Sequence, residues 1–196
     1  DMGGKIRFNV AKFGAKVASQ VSKFGFGSGN NLPGYVFYKI AGKEALKDLA
    51  HEMSIGPILI TGTNGKTTTT TLLIKLLSAD TKIRKSFESN TIHAITTGIL
   101  KGSVDIGVFE YGIRNKIYGI PDTVQRLIDP VGVVYTTISR EHSQVAGVKN
   151  PFDEYVDAKS LLSQAMARGV IISNVDDPVT ANIAFNKQED VHVNFY

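Results

Sequence analysis

The sequence contains no cysteine, no long apolar run and no internal repeat. Without cysteine the chain can form neither disulfide bonds nor thiolate metal sites, and it is compatible with a reducing cytosol. No stretch is apolar over the length that a transmembrane helix needs, and no secretory signal is visible. We therefore expect a cytoplasmic protein without an integral membrane segment.

The remaining composition is that of a soluble globular protein. Of the 196 residues, 42% are hydrophobic, which is enough for one substantial domain and a small second one. The formal net charge of +4 favours an anionic ligand without requiring a nucleic acid, and we expect no nucleic-acid partner.

The stretch from Pro57 to Thr71, PILITGTNGKTTTTT, predicts a phosphate-binding loop. An apolar run of strand length leads into a turn with two glycines, and a segment with helical spacing follows. Such a turn aims backbone N–H groups and the positive end of the helix at an anion. Because Ile60 stands where the longer G-x-x-x-x-G-K-[ST] pattern has glycine, this is the shorter G-x-x-G-K-T form. The alternative is a plain glycine turn with a surface lysine.

In the nucleotide interpretation, Lys66 neutralises the β- and γ-phosphates and the Thr67 hydroxyl ligates Mg²⁺. The predicted nucleotide contacts are Thr63, Asn64, Gly65, Lys66, Thr67 and Thr68.

Residues 1–55 predict a small helical or α+β cap before a nucleotide domain at 56–196. Residues 5–24 have apolar side chains at helical spacing, opposite a face of lysines. This helix either docks on the nucleotide domain with a solvated basic face, which we favour, or lies on a membrane surface. We expect a loop at 25–34, a short strand at 35–40 and a helix at 44–53. The apolar positions of the first helix are Ile6, Val10, Phe13, Val17, Val21 and Phe24.

From residue 56 onward strands and helices alternate, which predicts an α/β fold with a doubly wound, mostly parallel sheet. We expect a ligand-facing loop at 89–98, and Asp122 and Asp177 as helix N-caps. The expected strands cover 58–60, 83–88, 104–109, 131–138, 170–172 and 191–195, and helices follow the phosphate loop and cover 122–128, 152–166 and the segment after Asp177.

Polar residues follow several of these strands, at the edge where parallel sheets bind ligands. Glu110 at a strand end is a candidate Mg²⁺ ligand, or an acid that faces water. His142 is a candidate ligand or a structural histidine. Asn174 could bind a nucleobase or only cap its turn, and Lys159 on a helix would ordinarily be solvated.

Five motifs together resemble the Mur ligase family of ATP-dependent amide ligases in cell-wall peptide assembly. The loop from Thr61 to Thr68 looks like the family signature, and Phe109-Glu110 is similar to its metal-binding glutamate. The segments 136–142, 155–159 and 173–177 resemble its T-N-I-x-x-D-H, Y-x-x-A-K and N-A-D-D motifs, with Thr137 and Glu141 as departures. Gln144 also stands where the family has an aspartate.

The resemblance implies ATP and Mg²⁺ as cofactors and four catalytic residues: Lys66, Glu110, His142 and Lys159. Thr67, Glu110 and His142 would hold metal, Lys159 would be carbamylated, and Asn174 would contact adenine. Family members continue into a further domain that closes on the nucleotide, so we expect a longer enzyme.

The nearest subfamilies by motif are the archaeal pseudomurein peptide ligases and the MurT-type ligases. We expect an enzyme that joins a free amino acid to a UDP-linked peptide precursor through an acyl phosphate. One alternative is the ATP-using subunit of an amidating complex with a glutaminase partner, and another is a nucleotide-binding fragment without catalysis. A ligase with folylpolyglutamate synthase-like chemistry is a third option, which we favour less.

Overall fold

The computed structural model describes residues 2–23, 31–100, 104–143 and 149–196, without the side chains of residues 23, 86–88 and 142. The strands are β1 (Gly56–Thr61), β2 (Ile83–Ser89), β3 (Ile106–Tyr111), β4 (Gly132–Tyr135), β5 (Gly169–Ser173) and β6 (Val191–Phe195). The helices are α1 (Met2–Lys23), α2 (Leu32–Ala41), α3 (Ala45–Ala50), α4 (Lys66–Leu77), α5 (Ile92–Ile99), α6 (Lys116–Gly119), α7 (Pro121–Ile128), α8 (Pro151–Ser160) and α9 (Pro178–Phe185). A short 3₁₀ helix covers Arg140–His142.

The six described strands form one parallel sheet in the order β2-β3-β1-β4-β5-β6. This confirms the predicted α/β class, and each predicted strand from residue 58 onward overlaps an observed one. Strand β1 lies between β3 and β4, with Ile60 opposite Glu110 and Thr61 opposite Tyr135. The chain runs from β1 to the β2–β3 side and then crosses to the β4 side, which opens a crevice at the carboxyl end of β1.

The two faces of the sheet are covered unequally. On one face Ile60, Ile106, Val108 and Val134 pack against α4. On the other face Phe109, Tyr111, Val133 and Tyr135 belong to a larger core that also contains residues of α1, α2, α3, α5, α7, α8 and α9. Because neighbouring strand residues point to opposite faces, Glu110 points to the same face as Val108, where α4 lies.

Residues 2–55 form helices in the described part, so the predicted strand at 35–40 is wrong. This segment lies inside α2, which has Pro33 in its first turn, the position where proline fits a helix. Its aromatic and β-branched residues favour a strand locally, but packing of α2 on α5 overrides that preference. A Cβ on Gly34 would lie 2.0 Å from the carbonyl oxygen of His93, so only glycine permits this close approach.

The predicted ligand-facing loop at 89–98 is also largely helical, as α5. Thr91 caps the helix by accepting a hydrogen bond from Ala94 N–H at 3.2 Å. The hydroxyls of Thr96 and Thr97 donate to the carbonyls of Ile92 and His93. These internal hydrogen bonds let a polar-looking segment pack as a buried helix.

Helix α1 forms as predicted but packs through a different face. Its buried residues are Ala11, Ala15 and Ala18, and a Cβ on Gly14 would lie 3.0 Å from Ile40. Small side chains let α1 and α2 approach closely. Phe8 also packs inward, against Phe37, whereas the apolar residues from which the helix was predicted face outward in the described part. The predicted loop at 25–34 lies mainly outside the described residues, as does Phe24.

Several predicted boundaries shift. Asp122 is not an N-cap but lies in the first turn of α7, whose N-cap is Ile120. Strand β4 and helix α8 are shorter than predicted.

Among the described residues, no helix has both the length and the apolar character to cross a membrane.

Candidate nucleotide site

The predicted phosphate loop joins β1 to α4 at the open crevice. Gly62 and Gly65 have φ angles of +150° and +85°, in the region that favours glycine. A Cβ on Gly62 would lie 2.0 Å from Thr136 Oγ1. Only glycine therefore lets the loop backbone approach the Thr136 side chain, which directly follows β4, this closely. Asn64, Gly65, Thr67 and Thr68 are exposed at the mouth of this turn.

Lys66 is half-buried at the first position of α4 and folds back over the loop. Its Nζ donates a hydrogen bond to the carbonyl oxygen of Thr63 at 2.9 Å. Burial lowers the pKa of Lys66, while the negative charge of Glu110 opposes that shift. Lys66 thus adds a cation to the positive N-terminal end of α4, where the first backbone N–H groups of the helix have no partner within it. Phosphate binding requires this combination.

Thr67 and Glu110 are joined although they come from different elements. The Thr67 hydroxyl donates to Glu110 Oε2 at 2.9 Å, and Glu110 is only 3% exposed. The two residues meet because Glu110 lies on the α4 face of β3 and Thr67 lies in the first turn of α4. A hydroxyl and a carboxylate are oxygen donors of the kind that Mg²⁺ prefers, so this pair fits a magnesium site.

The segment after β4 holds the loop in place. Thr136 Oγ1 donates to the carbonyl oxygens of Asn64 at 2.6 Å and Thr61 at 3.2 Å. Asn64 Nδ2 donates to Glu141 at 3.0 Å, and Asn64 also forms an isolated β-bridge with Thr137. Glu141 and Thr137, the departures from the family motif, are thus both engaged with the loop.

Thr63 differs from the other predicted loop contacts because its polar groups are already used. Its N–H donates to the carbonyl of Thr137. Its hydroxyl accepts from Ser139 N–H at 2.9 Å and lies 3.0 Å from the Tyr155 hydroxyl. The structure therefore gives Thr63 a role in fixing the loop, and its contact with nucleotide stays a prediction.

Lys159 is fully buried beneath the loop. Its Nζ donates to the carbonyl oxygens of Ile113 at 2.9 Å and Gly62 at 3.4 Å, and lies 4.4 Å from the centre of the Tyr155 ring. Burial, aided by the charge of Lys66, lowers its pKa to about 7. The solvated-lysine interpretation is therefore wrong, and a large fraction of Lys159 is a neutral amine near neutral pH.

Asn174 and Asp177 follow the carboxyl end of β5 and hold the chain there through hydrogen bonds. Asn174 Oδ1 accepts from Asp176 N–H at 3.0 Å, so this side chain does cap its turn. Asp177 caps α9 as predicted, by accepting from Val179 and Thr180 N–H, and it also accepts from Ile138 N–H at 2.6 Å. It thereby ties α9 to the segment that supports the phosphate loop.

The side chain of His142 lies outside the described residues, so its role stays a prediction. Among the described side chains, no cluster of three or more histidines and acids forms a ready-made metal site. The sequence prediction assigned no role to Tyr155, Thr136 or the Asp177–Ile138 contact. Of these, only the position of Tyr155 could have been inferred from the sequence. It precedes Lys159 by four residues and therefore lies on the same face of the helix.

The Mur ligase middle domain model matches residues 60–196, well over half of the chain. This chain belongs to the Mur ligase family. The match covers the phosphate loop and the segments that carry Glu110, Lys159 and Asn174.

A curated relative and two solved structures show how far the similarity extends. UDP-N-acetylmuramoyl-tripeptide–D-alanyl-D-alanine ligase of Bacillus subtilis is 30% identical over 146 residues, which are 70% of this chain and 31% of that ligase. MurF ligase of Thermotoga maritima in complex with ADP has a TM-score of 0.64 at 18% identity over 78% of this chain and 35% of that one. A pseudomurein peptide ligase type C of Methanothermus fervidus has a TM-score of 0.56 at 23% identity over 74% and 28%. The chain thus spans about a third of the length of the curated relative.

Proposed function

We propose that this chain carries the ATP site of an amide-bond-forming ligase that extends a UDP-linked peptide precursor. The observation that carries the proposal is the hydrogen bond of 2.9 Å between Thr67 and Glu110 beside Lys66. It brings a candidate pair of magnesium ligands to the lysine of a phosphate loop. Membership of the Mur ligase family and the ADP complex of the Thermotoga relative support the same role.

The reaction that fits this site has two transfers. A precursor carboxylate oxygen attacks the γ-phosphorus of ATP, and ADP leaves with the electrons of the broken P–O bond. The nitrogen of the amine substrate then attacks the acyl carbon, loses a proton and expels inorganic phosphate. The chain contributes mainly charge and position: Lys66 and the loop N–H groups offset the negative charge of the transferring phosphoryl group.

Bound Mg²⁺ would neutralise phosphate charge and would be held by Thr67 and Glu110, with His142 as a third ligand. We further propose that the neutral Nζ of Lys159 reacts with CO₂. The new N–C bond forms as one amine proton is released, and the product is a negatively charged carbamate. A pKa of about 7 supports this step because only the neutral amine is nucleophilic. We also propose that Asn174 contacts adenine, because segment 173–177 resembles the N-A-D-D motif of the family.

The relatives suggest the substrates to try first. The name of the Bacillus relative specifies a UDP-N-acetylmuramoyl tripeptide and D-alanyl-D-alanine, and the Methanothermus neighbour is a pseudomurein peptide ligase. Both are peptide ligases, so they give no support to the amidating complex with a glutaminase. We place the ligase in the cytoplasm, where UDP-linked precursors would be met.

The test is phosphate release from ATP and Mg²⁺ with a UDP-linked tripeptide and D-alanyl-D-alanine, followed by single amino acids. We expect release to require both the precursor and one amine substrate, and the precursor to gain the mass of that amine. Release that requires glutamine and an added glutaminase would instead establish the amidating complex. ATP binding without release in any mixture would contradict the ligase and leave a nucleotide-binding fragment.

A further inference from the structure

Helix α1 has an apolar stripe that the rest of the described chain does not cover. The stripe residues are between 43% and 68% exposed, and they extend over about 22 Å at a helical rise of 1.5 Å per residue. The helix is nevertheless fixed in place, because its alanine face packs on α2. The stripe, named here the α1 stripe, consists of Ile6, Val10, Phe13, Val17 and Val21.

The charged residues of α1 itself all have one sign. Residues 2–43 contain seven of the 22 basic residues of the chain and none of its 18 acidic residues. Lys5, Lys12 and Lys16 are spaced seven and four residues apart, so they lie along one flank of the stripe. Lys12 pairs with Glu52 at 2.8 Å, whereas Lys5 and Lys16 form no ion pair with any residue that the structure describes.

A shallow groove adjoins this flank. It has a volume of about 470 Å³ and is lined by Lys12, Phe13 and Lys16 of α1 together with Pro33 and Leu100. Its lining combines apolar side chains with two lysines, so the apolar and cationic surface extends from α1 onto the neighbouring residues.

The charge pattern decides between two occupants of the α1 stripe. A second copy of the chain would cover the apolar residues but would place one lysine-flanked helix against another without a compensating acid. An anionic lipid bilayer accepts both features, since apolar side chains enter the interface and lysines reach the headgroup phosphates.

We propose that the α1 stripe docks this protein on the surface of an anionic membrane. The helix would lie in the plane of the interface, with the stripe among the acyl chains and Lys5, Lys12 and Lys16 at headgroup level. Membrane contact is thus a property of α1 and does not involve the nucleotide site.

The experiment is flotation of the purified protein with vesicles of phosphatidylcholine alone or mixed with phosphatidylglycerol. We expect binding to the mixed vesicles that weakens as salt is raised, because counterions screen the lysines. The double variants Phe13→Asn/Val17→Asn and Lys5→Glu/Lys16→Glu should each reduce the partition coefficient at least tenfold.

A matched control comes from α4, whose outer face also has exposed apolar and basic side chains. Leu76→Asn and Lys75→Glu make the same kinds of change, apolar to Asn and Lys to Glu, at exposed positions away from α1, and they should leave vesicle binding unchanged. Circular dichroism and ATP binding of each variant show that the fold is retained.

Three results of the vesicle experiment would overturn the proposal. These are no binding to mixed vesicles, equal binding to neutral and anionic vesicles, or equal loss in the α1 and α4 variants. A dimer in the absence of lipid that Phe13→Asn/Val17→Asn dissociates would also overturn it, because a second copy would then cover the stripe.

Discussion

Two lysines donate hydrogen bonds to carbonyl oxygens of the phosphate loop, and burial lowers the pKa of both. Lys66 is half-buried and keeps the favourable charge of Glu110 nearby. Lys159 is fully buried, and its polar contacts in the described chain are two carbonyl oxygens. The environment of Lys66 suits a cation that binds phosphate, and that of Lys159 suits a neutral amine.

Replacing Lys66 by alanine should lower turnover by about 10²-fold or more. The variant loses the cation that offsets the charge of the transferring phosphoryl group, a loss worth about 3 kcal/mol of transition-state stabilisation. Phosphate release at saturating precursor measures the effect. Lys75→Ala on the exposed face of the same helix is the control, and similar turnover in both variants would rule out the assigned role.

The buried amine of Lys159 predicts a stability that depends on pH. Its folded-state pKa of about 7 lies below the ordinary value of 10.5, so between these values the unfolded chain binds more protons. Stability should therefore rise with pH across this window, by up to about 1.4 kcal/mol per pH unit.

Lys159→Met removes this titration while keeping similar bulk. The free energy of unfolding in urea should be measured for wild type and Lys159→Met. We expect the value for wild type to increase relative to that for the variant as the pH rises from 7 to 10. A difference that does not change with pH would mean that the Lys159 pKa is not lowered in the folded protein.

At the scale of elements, one aspartate connects α9 with the support of the phosphate loop. Asp177→Ala removes the α9 cap and leaves the N–H of Ile138 without its partner, which should cost about 2–4 kcal/mol of unfolding free energy. Chemical denaturation measures this. Asp176→Ala, at the exposed neighbouring position, should change stability by less than about 0.5 kcal/mol. Equal effects of the two substitutions would refute the connecting role of Asp177.

The strands and the phosphate loop could be predicted because their signals are local. A short apolar run, or a Gly-Lys-Thr turn between a strand and a helix, is visible without knowledge of the fold. Glu110 could be placed near the loop because strand ends meet at one edge of a parallel sheet.

What the sequence did not reveal depends on distant partners. Helix α2 has strand-like residues and forms a helix because it packs between α1 and α5. The contact of Thr63 with Tyr155 joins positions 92 residues apart. The outward direction of the α1 stripe depends on the close fit of alanines against α2, which hydrophobic periodicity alone does not show.

For the whole molecule, the helices before β1 share one core with the sheet. Phe37, Leu46 and Leu49 belong to the same buried cluster as Phe109 and Tyr135. The boundary between a cap at 1–55 and a nucleotide domain at 56–196 stays a prediction, but this shared core implies that both parts unfold together.

Leu46→Ala tests that coupling. Leu46 is fully buried in α3, so its truncation should cost about 3 kcal/mol. Because the chain has no tryptophan, far-ultraviolet circular dichroism and calorimetry should follow unfolding. We expect one transition that moves to lower temperature as a unit. Two separated transitions, with only the first one shifted, would indicate an independent cap.

We propose that the site transfers the γ-phosphoryl group of ATP to a precursor carboxylate. The most direct test of this proposal is isotope transfer, with the precursor carboxylate labelled with ¹⁸O and the released phosphate analysed by mass spectrometry. An acyl-phosphate route predicts that each phosphate released during ligation carries one carboxylate oxygen. Phosphate without ¹⁸O at the same rate of ligation would contradict this transfer, because the carboxylate would not have been phosphorylated.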